Sequence, residues 1–203
     1  MKEELKKSVE RDEKLIGDFL GNDHSAFEKL VIRYKDMIFT LCFRITCDYD
    51  EANDCAQETF IKVYRSLGGF QFRSSFKTWL YRIAINTCRS RISSKKRKIN
   101  GKTVSMESII NPEAGFSRQG GNADLDPAVN YEKKELEAEI QEALASLPED
   151  ERLLVVLRDI DNRPYDEIIT VTGINEGTVK SRLSRARHRL RSSLRDKFKD
   201  EMQ

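Results

Sequence analysis

The sequence predicts an all-α protein built from two small helical domains joined by a flexible linker. Three observations carry that expectation. Apolar residues recur at steps of three and four through most of the chain, which is the period of a helix with one buried face. No segment alternates apolar and polar residues as a half-buried strand does. Between residues 95 and 126 the periodicity stops, in a run that carries Gly101, Asn111-Pro112, Gly115 and Gly120-Gly121. That is the composition of a linker. The expected domains are therefore 1–94 and 127–203, with 95–126 between them.

In the first domain Asp23 is placed to cap a helix whose inward stripe is Phe27, Leu30, Val31, Tyr34, Ile38, Leu41 and Ile45. A second helix follows Asp50, with Ala52, Cys55, Ala56, Thr59, Phe60, Val63 and Leu67 inward, and stops at Gly68-Gly69. A short loop over 70–75 leads to a third helix, along which Phe76, Trp79, Leu80, Ile83, Ala84 and Cys88 face the core. Trp79 falls on that inward stripe, so its reading is packing, not a stacking platform. A weaker amphipathic stretch over 9–20 is expected to pack ahead of these.

The second domain opens at Asp126-Pro127 with an acidic helix stopped by Pro148. A helix over 149–160 follows, with Leu153, Leu154, Val156, Leu157 and Ile160 apolar. Pro164 suits the first turn of a short helix. Gly173 is free to take the positive φ of a tight turn, and Asn175 to cap the long helix beyond it. In that last helix Val179, Leu183, Ala186 and Leu190 step by four, three and four and face inward. Thr178, Ser181, Ser184, Arg185 and His188 are left outward, flanked by Lys180 and Arg182. This is the length, turn and polarity of a helix-turn-helix, whose second helix enters the DNA major groove. Small side chains near its start allow close approach to base edges, and Arg or Lys meets phosphate or a guanine edge. Arg185 suits either role. Arg189, Arg191 and Arg195, farther along, suit backbone phosphate or solvent.

Charge supports the same reading by its distribution, not its sum, because the formal net charge is only +2. Residues 82–98 carry seven Arg and Lys and no acid, and residues 176–197 carry eight against two acids. Acid concentrates over 48–58 and 124–151. Two separated basic segments suggest two places where phosphate is met. The charged N-terminus has no apolar core of a secretory signal, and no apolar run approaches the roughly 20 residues of a membrane span. No membrane insertion and a cytoplasmic location are therefore expected. Cys42, Cys47, Cys55 and Cys88 match no zinc-ligand spacing, so they read as free thiols filling core positions. No cofactor is called for. No nucleophile, metal cluster or phosphate loop is visible, so the chain is not expected to be an enzyme.

A helix-turn-helix alone leaves a dimeric repressor or activator open. Three runs bear on the choice: Asp54-Cys55-Ala56-Gln57-Glu58-Thr59-Phe60, residues 76–88 from Phe76-Lys77-Thr78-Trp79 to Asn86-Thr87-Cys88, and residues 177–187 from Gly177-Thr178-Val179-Lys180-Ser181 to Arg187. In that order and with those gaps they resemble the bacterial extracytoplasmic-function sigma factors, from about residue 23 to 195. The resemblance implies a region 2 domain and a region 4 domain joined by a linker, without an inhibitory N-terminal region or a region 3 domain. It also implies the function of an alternative sigma factor, which binds core RNA polymerase and directs promoter-specific initiation at a −35 duplex and a melted −10 element.

By the same resemblance, Asn53, Asp54, Gln57, Glu58 and Ile61 match the surface that grips the β′ clamp helices of the polymerase. They share one helix face by spacing. Without the resemblance that face reads as an ordinary solvated one. Phe72, Ser74, Lys77, Arg82, Asn86 and Arg89 match the −10 element, where a base leaves the stack for a pocket and basic side chains hold the strand. Arg91 is expected to join them. Phe70-Gln71-Phe72-Arg73 stands where the family usually carries Phe-Arg-Gly. The added aromatic and lost glycine bear on the loop's shape and on which base it captures. Thr178, Lys180, Ser181, Ser184 and Arg185 match the −35 reader, with Ser184 smaller than the residue some relatives carry. The implied partners are core RNA polymerase, through its β′ clamp helices and β flap, promoter DNA, and an anti-sigma factor.

Overall fold

The computed structural model describes residues 2–100 and 127–200. Every regular element among them is helical. The segment 101–126, most of the expected linker, lies outside the described residues.

Helix α1 spans Lys2–Leu20, α2 His24–Thr46, α3 Tyr49–Ser66 and α4 Phe76–Asn100. Asp23 caps α2 as its sequence position suggests, its carboxylate accepting from the Ser25 amide. The cap of α3 is Asp48, which accepts from the Glu51 amide at 2.9 Å, so this helix starts ahead of the expected Asp50. Asp50 and Glu51 then fill the first turn, where acid is favoured by the helix dipole. Helix α4 runs on to Asn100, through residues 95–100 that composition alone assigns to the linker.

Helix α2 is the centre of the first domain, packed by α1, α3 and α4. Leu30, Ile38, Leu41 and Ile45 on α2 meet Ile16, Val63, Leu67, Leu80 and Ile85, all buried. Each such side chain contributes about 1.5–3 kcal/mol through burial. Cys42, Cys55 and Cys88 are free and fully buried in the same core. Hydrogen bonding to Cys88 and burial hold the Cys55 thiol well above its ordinary range, and hydrogen bonding to Cys42 and burial raise Cys88. Kept protonated, they pack as small apolar groups. Helix α1 is locked on by a polar contact: buried Asp12 accepts from the Tyr34 hydroxyl and the Arg33 guanidinium.

The second domain comprises α5 (Pro127–Ala145), α6 (Glu149–Val155), α7 (Tyr165–Thr172) and α8 (Glu176–Asp200). Pro148 stops the chain between α5 and α6, and a π turn over Val156–Ile160 extends α6. Its core joins Leu153, Leu154, Leu157, Ile168, Val179, Leu183 and Ala186. The two domains touch, with α5 and α6 against α2 and α7 against α4.

Replacing Asp12 with Ala removes the buried carboxylate that accepts from Tyr34 and Arg33, and losing hydrogen bonds to a charged group costs about 1.5–3 kcal/mol. Urea unfolding of the variant should show a lower midpoint with an unchanged slope.

Candidate nucleic-acid interface

The turn before α8 is built as a helix-turn-helix requires. Gly173 stands at φ +69° and its amide donates back to the Ile169 carbonyl at 2.8 Å, closing α7. Asn175 Oδ1 accepts from the Thr178 amide at 2.8 Å and starts α8. Val179, Leu183 and Ala186 are fully buried, which fixes the rotation of the helix. Lys180, Ser181, Ser184, Arg185 and His188 are therefore exposed, as the periodicity predicts, whereas Thr178, expected outward, is half-buried. The Ser181 hydroxyl donates to the Thr178 carbonyl and the Arg185 Nε–H to the Ser181 carbonyl, a row of short polar contacts along the outer face.

Four basic residues of α8, Lys180, Arg182, Arg187 and Arg189, carry acidic partners that periodicity does not reveal. Arg187 makes a forked pair with Asp159, at 3.1 and 2.6 Å. Arg182 pairs with Asp150 at 3.2 Å and Arg189 with the buried Glu151 at 3.3 Å. These contacts pin α8 to α6. Lys180 pairs with Glu176 at 2.7 Å, and its ammonium lies 5.7 Å from the centre of the Tyr165 ring. The hydrogen bond to Glu176 raises its pKa.

In the first domain the loop ahead of α4 turns at Phe72, which stands at φ +54°. A side chain in that region costs roughly 1–2 kcal/mol. Its ring packs 4.8 Å from Phe70, which lies 5.0 Å from Trp79. Trp79 is thus held in an aromatic cluster with Phe70 and Phe76, while Phe72 remains 49% exposed. The turn thus carries an exposed aromatic ring at its tip. Ser75 begins α4, its hydroxyl accepting from the Thr78 amide at 3.2 Å. Ser74 just before it and Lys77, Arg82, Asn86 and Arg89 beyond it are exposed.

Arg91 departs from its expected place among them. Its guanidinium donates to Glu51 and Asp54 on α3, and the bond to Glu51 raises its pKa. It ties α4 to the acidic face of α3. On that face Asn53, Asp54, Gln57 and Ile61 are exposed and Glu58 is half-buried beside Lys62 at 2.7 Å. Tyr64, 45% exposed, extends the face by one turn. Its i+3 spacing from Ile61 places it on that face.

With this geometry in hand, the chain matches the family description Sigma-70 region 2 over residues 30–98 and Sigma-70, region 4 over residues 137–190. It is 38% identical over 188 residues to the RNA polymerase sigma-H factor of Pseudomonas aeruginosa, covering 91% of this chain and 94% of that one. It is 36% identical to the ECF RNA polymerase sigma factor SigW of Bacillus subtilis, covering 86% of this chain and 91% of that one. A solved sigma factor, RpoE from Bartonella quintana in complex with the anti-sigma factor NepR, superposes with a TM-score of 0.61 at 26% identity. That match covers 83% of this chain and 96% of the other. The two helical domains are therefore sigma regions 2 and 4. The chain belongs to the extracytoplasmic-function family of RNA polymerase sigma factors.

A Cβ added at Gly173 meets nothing within 4 Å, so Gly173→Ala tests the backbone alone. The positive φ should cost the second domain about 1–2 kcal/mol. Gly173→Asn should cost less, and thermal unfolding of the two variants reads the difference.

Proposed function

We propose that this chain docks on core RNA polymerase through the outer face of α3, reads −35 duplex with α8, and captures the melted −10 strand with the loop at Phe72 and with α4. The single observation that carries this is the division of exposed residues. The acidic and amide face of α3 (Asn53, Asp54, Gln57, Glu58 and Ile61) suits a basic helical partner such as the β′ clamp helices. The exposed set Phe72, Ser74, Lys77, Arg82, Asn86 and Arg89 joins an aromatic to cations, which suits an unstacked base and its phosphates. The outer row of α8 (Thr178, Lys180, Ser181, Ser184 and Arg185) joins small and basic side chains, which suits the major groove.

The remaining partners follow from family membership. The second domain sits on the β flap, and an anti-sigma factor holds the protein inactive until a stress signal arrives. The chain supplies specificity while the polymerase supplies the chemistry. No helix among the described residues is long and apolar enough to cross a membrane. A cytoplasmic site of action fits its partners.

Purified protein added to core polymerase should start transcription at asymmetric two-box promoters drawn from a genomic template pool. No transcripts, together with protection of a palindrome by the protein alone, would instead favour a dimeric regulator. Asp54→Ala with Gln57→Ala should weaken polymerase binding while leaving −35 duplex binding by the full chain unchanged. Equal loss in both assays would point to unfolding. Arg185→Ala should cost roughly 1–3 kcal/mol at one −35 position if it reads a base. A uniform loss across sequences would make it a phosphate contact.

A further inference from the structure

One charged side chain at the tip of α8 has no place in the faces described above. Glu176 is the first residue of the helix and the only acid in its sequence ahead of Asp196. Glu176, Lys180 and Ser184 step by four, so Glu176 carries the outer row of α8 one turn closer to the tip. A recognition helix meets base edges with its N-terminal residues. Phosphate repels a carboxylate, so at this position Glu176 suits a base edge that offers a donor.

The setting of Glu176 separates it from the other acids paired with α8. Arg182 and Arg189 turn back to Asp150 and Glu151 on α6, and Arg187 turns back to Asp159. Of the four paired cations, Lys180 alone finds its partner within α8. Its ammonium stands 2.7 Å from Glu176 Oε1, with the two side chains 58% and 56% exposed. The ammonium also lies 5.7 Å from the centre of the Tyr165 ring, which carries the Arg158 guanidinium at 4.8 Å. This cation–π contact and the carboxylate together set where the ammonium stands. The tip of the helix thus presents an acceptor and a donor side by side, arranged before any partner arrives.

The major-groove edge of a base pair offers the complementary arrangement. In C·G the cytosine N4 amino group donates, and guanine O6 and N7 accept. N4 and O6 are hydrogen-bonded to each other within the pair, so they stand about 2.9 Å apart. That is close to the 2.7 Å between the Glu176 oxygen and the Lys180 ammonium. A·T also sets a donor beside an acceptor, but there the adenine N7 lone pair faces the carboxylate and the thymine methyl crowds O4. A G·C pair in the same place presents its donor and acceptor in reverse order. We propose that Glu176 and Lys180 read one C·G pair of the −35 box as a unit. Glu176 accepts from cytosine N4, and Lys180 donates to guanine O6. The inference rests on the reading of α8 as the −35 helix. It adds a carboxylate to a row of hydroxyls and cations, and the ion pair stays intact in the complex.

The experiment uses the full chain loaded on core RNA polymerase and a pool of duplex promoters with a randomised −35 box, with bound sequences counted. The wild type should favour C·G over the other pairs at one position by roughly five- to a hundredfold. Glu176→Ala should erase that preference and leave the other positions unchanged. Lys180→Met should weaken it at the same position. Exchanging the charges, Glu176→Lys with Lys180→Glu, should turn the favoured pair there from C·G to G·C. Thermal unfolding checks that each variant folds, and Glu176→Ala with Lys180→Met decides the matter if the exchanged pair does not.

A preference that survives Glu176→Ala overturns the paired reading. So does a loss spread evenly over all positions, which would make Glu176 only an electrostatic neighbour of Lys180. A Lys180→Met effect confined to a different position overturns it as well. A wild-type complex that selects no −35 sequence at all fails on other grounds: it overturns the −35 reading of α8, and this inference with it.

Discussion

The end of α2 is where the molecule is held together. An α-helix leaves its last carbonyls without intrahelical donors, and burying them unpaired is expensive. Helix α2 ends at Thr46 with Cys47 in the left-handed region, its amide returning to the Phe43 carbonyl. That turn satisfies only part of the exposed backbone. From the other domain Arg152 donates to the Ile45 carbonyl, and Gln141 adds a second donor to the Phe43 carbonyl. Arg152 also donates to the Ala145 and Leu147 carbonyls at the end of α5. One buried guanidinium therefore closes two helix ends that face each other across the domain boundary. The positive charge is placed where both helix dipoles favour it.

The same economy of charge organises the two nucleic-acid elements. Each has a basic helix, and in each the structure divides the cations between an anchoring side and an outward side. In α8, Arg182, Arg187 and Arg189 turn back to acids on or just beyond α6, leaving Ser181, Ser184 and Arg185 at the front. In α4, Arg91 turns back to Glu51 and Asp54, leaving Arg82 and Asn86 exposed. The anchors set the rotation and tilt of each helix. Rigid placement matters because base recognition depends on side chains arriving within hydrogen-bond reach.

Much of this was legible before any coordinates. Asp23, Gly173 and Asn175 announce their roles because caps and tight turns depend on residues within three or four positions of each other. The buried stripes of α2 and α8 follow from a period that packing obeys. What the sequence concealed is non-local. Asp48 and Asp50 are both acceptable caps by residue type, and the structure uses Asp48. The π turn at Val156–Ile160 differs from an α-helix by one step of hydrogen-bond register, which leaves no compositional trace. Arg91 could not be separated from Arg82 and Arg89 by charge or spacing. Its partners lie 37 and 40 residues away. On α3 and α8 exposure largely follows from the buried stripe: Asn53, Asp54, Gln57, Ile61, Lys180, Ser181, Ser184 and Arg185 are exposed, while Glu58 and Thr178 are half-buried.

The paired arginines of α8 also bear on how the protein should respond to its ionic surroundings. Binding to duplex DNA gains its salt dependence from the counterions released when cations neutralise phosphates. Lys180, Arg182, Arg187 and Arg189 each already have a carboxylate within 4 Å. These carboxylates act as tethered counterions that cannot diffuse away. The recognition helix therefore behaves as a weaker polyelectrolyte than its sequence implies. Its hold on promoter DNA depends more on shape and hydrogen bonding, and less on the bulk salt concentration, than a count of its arginines suggests.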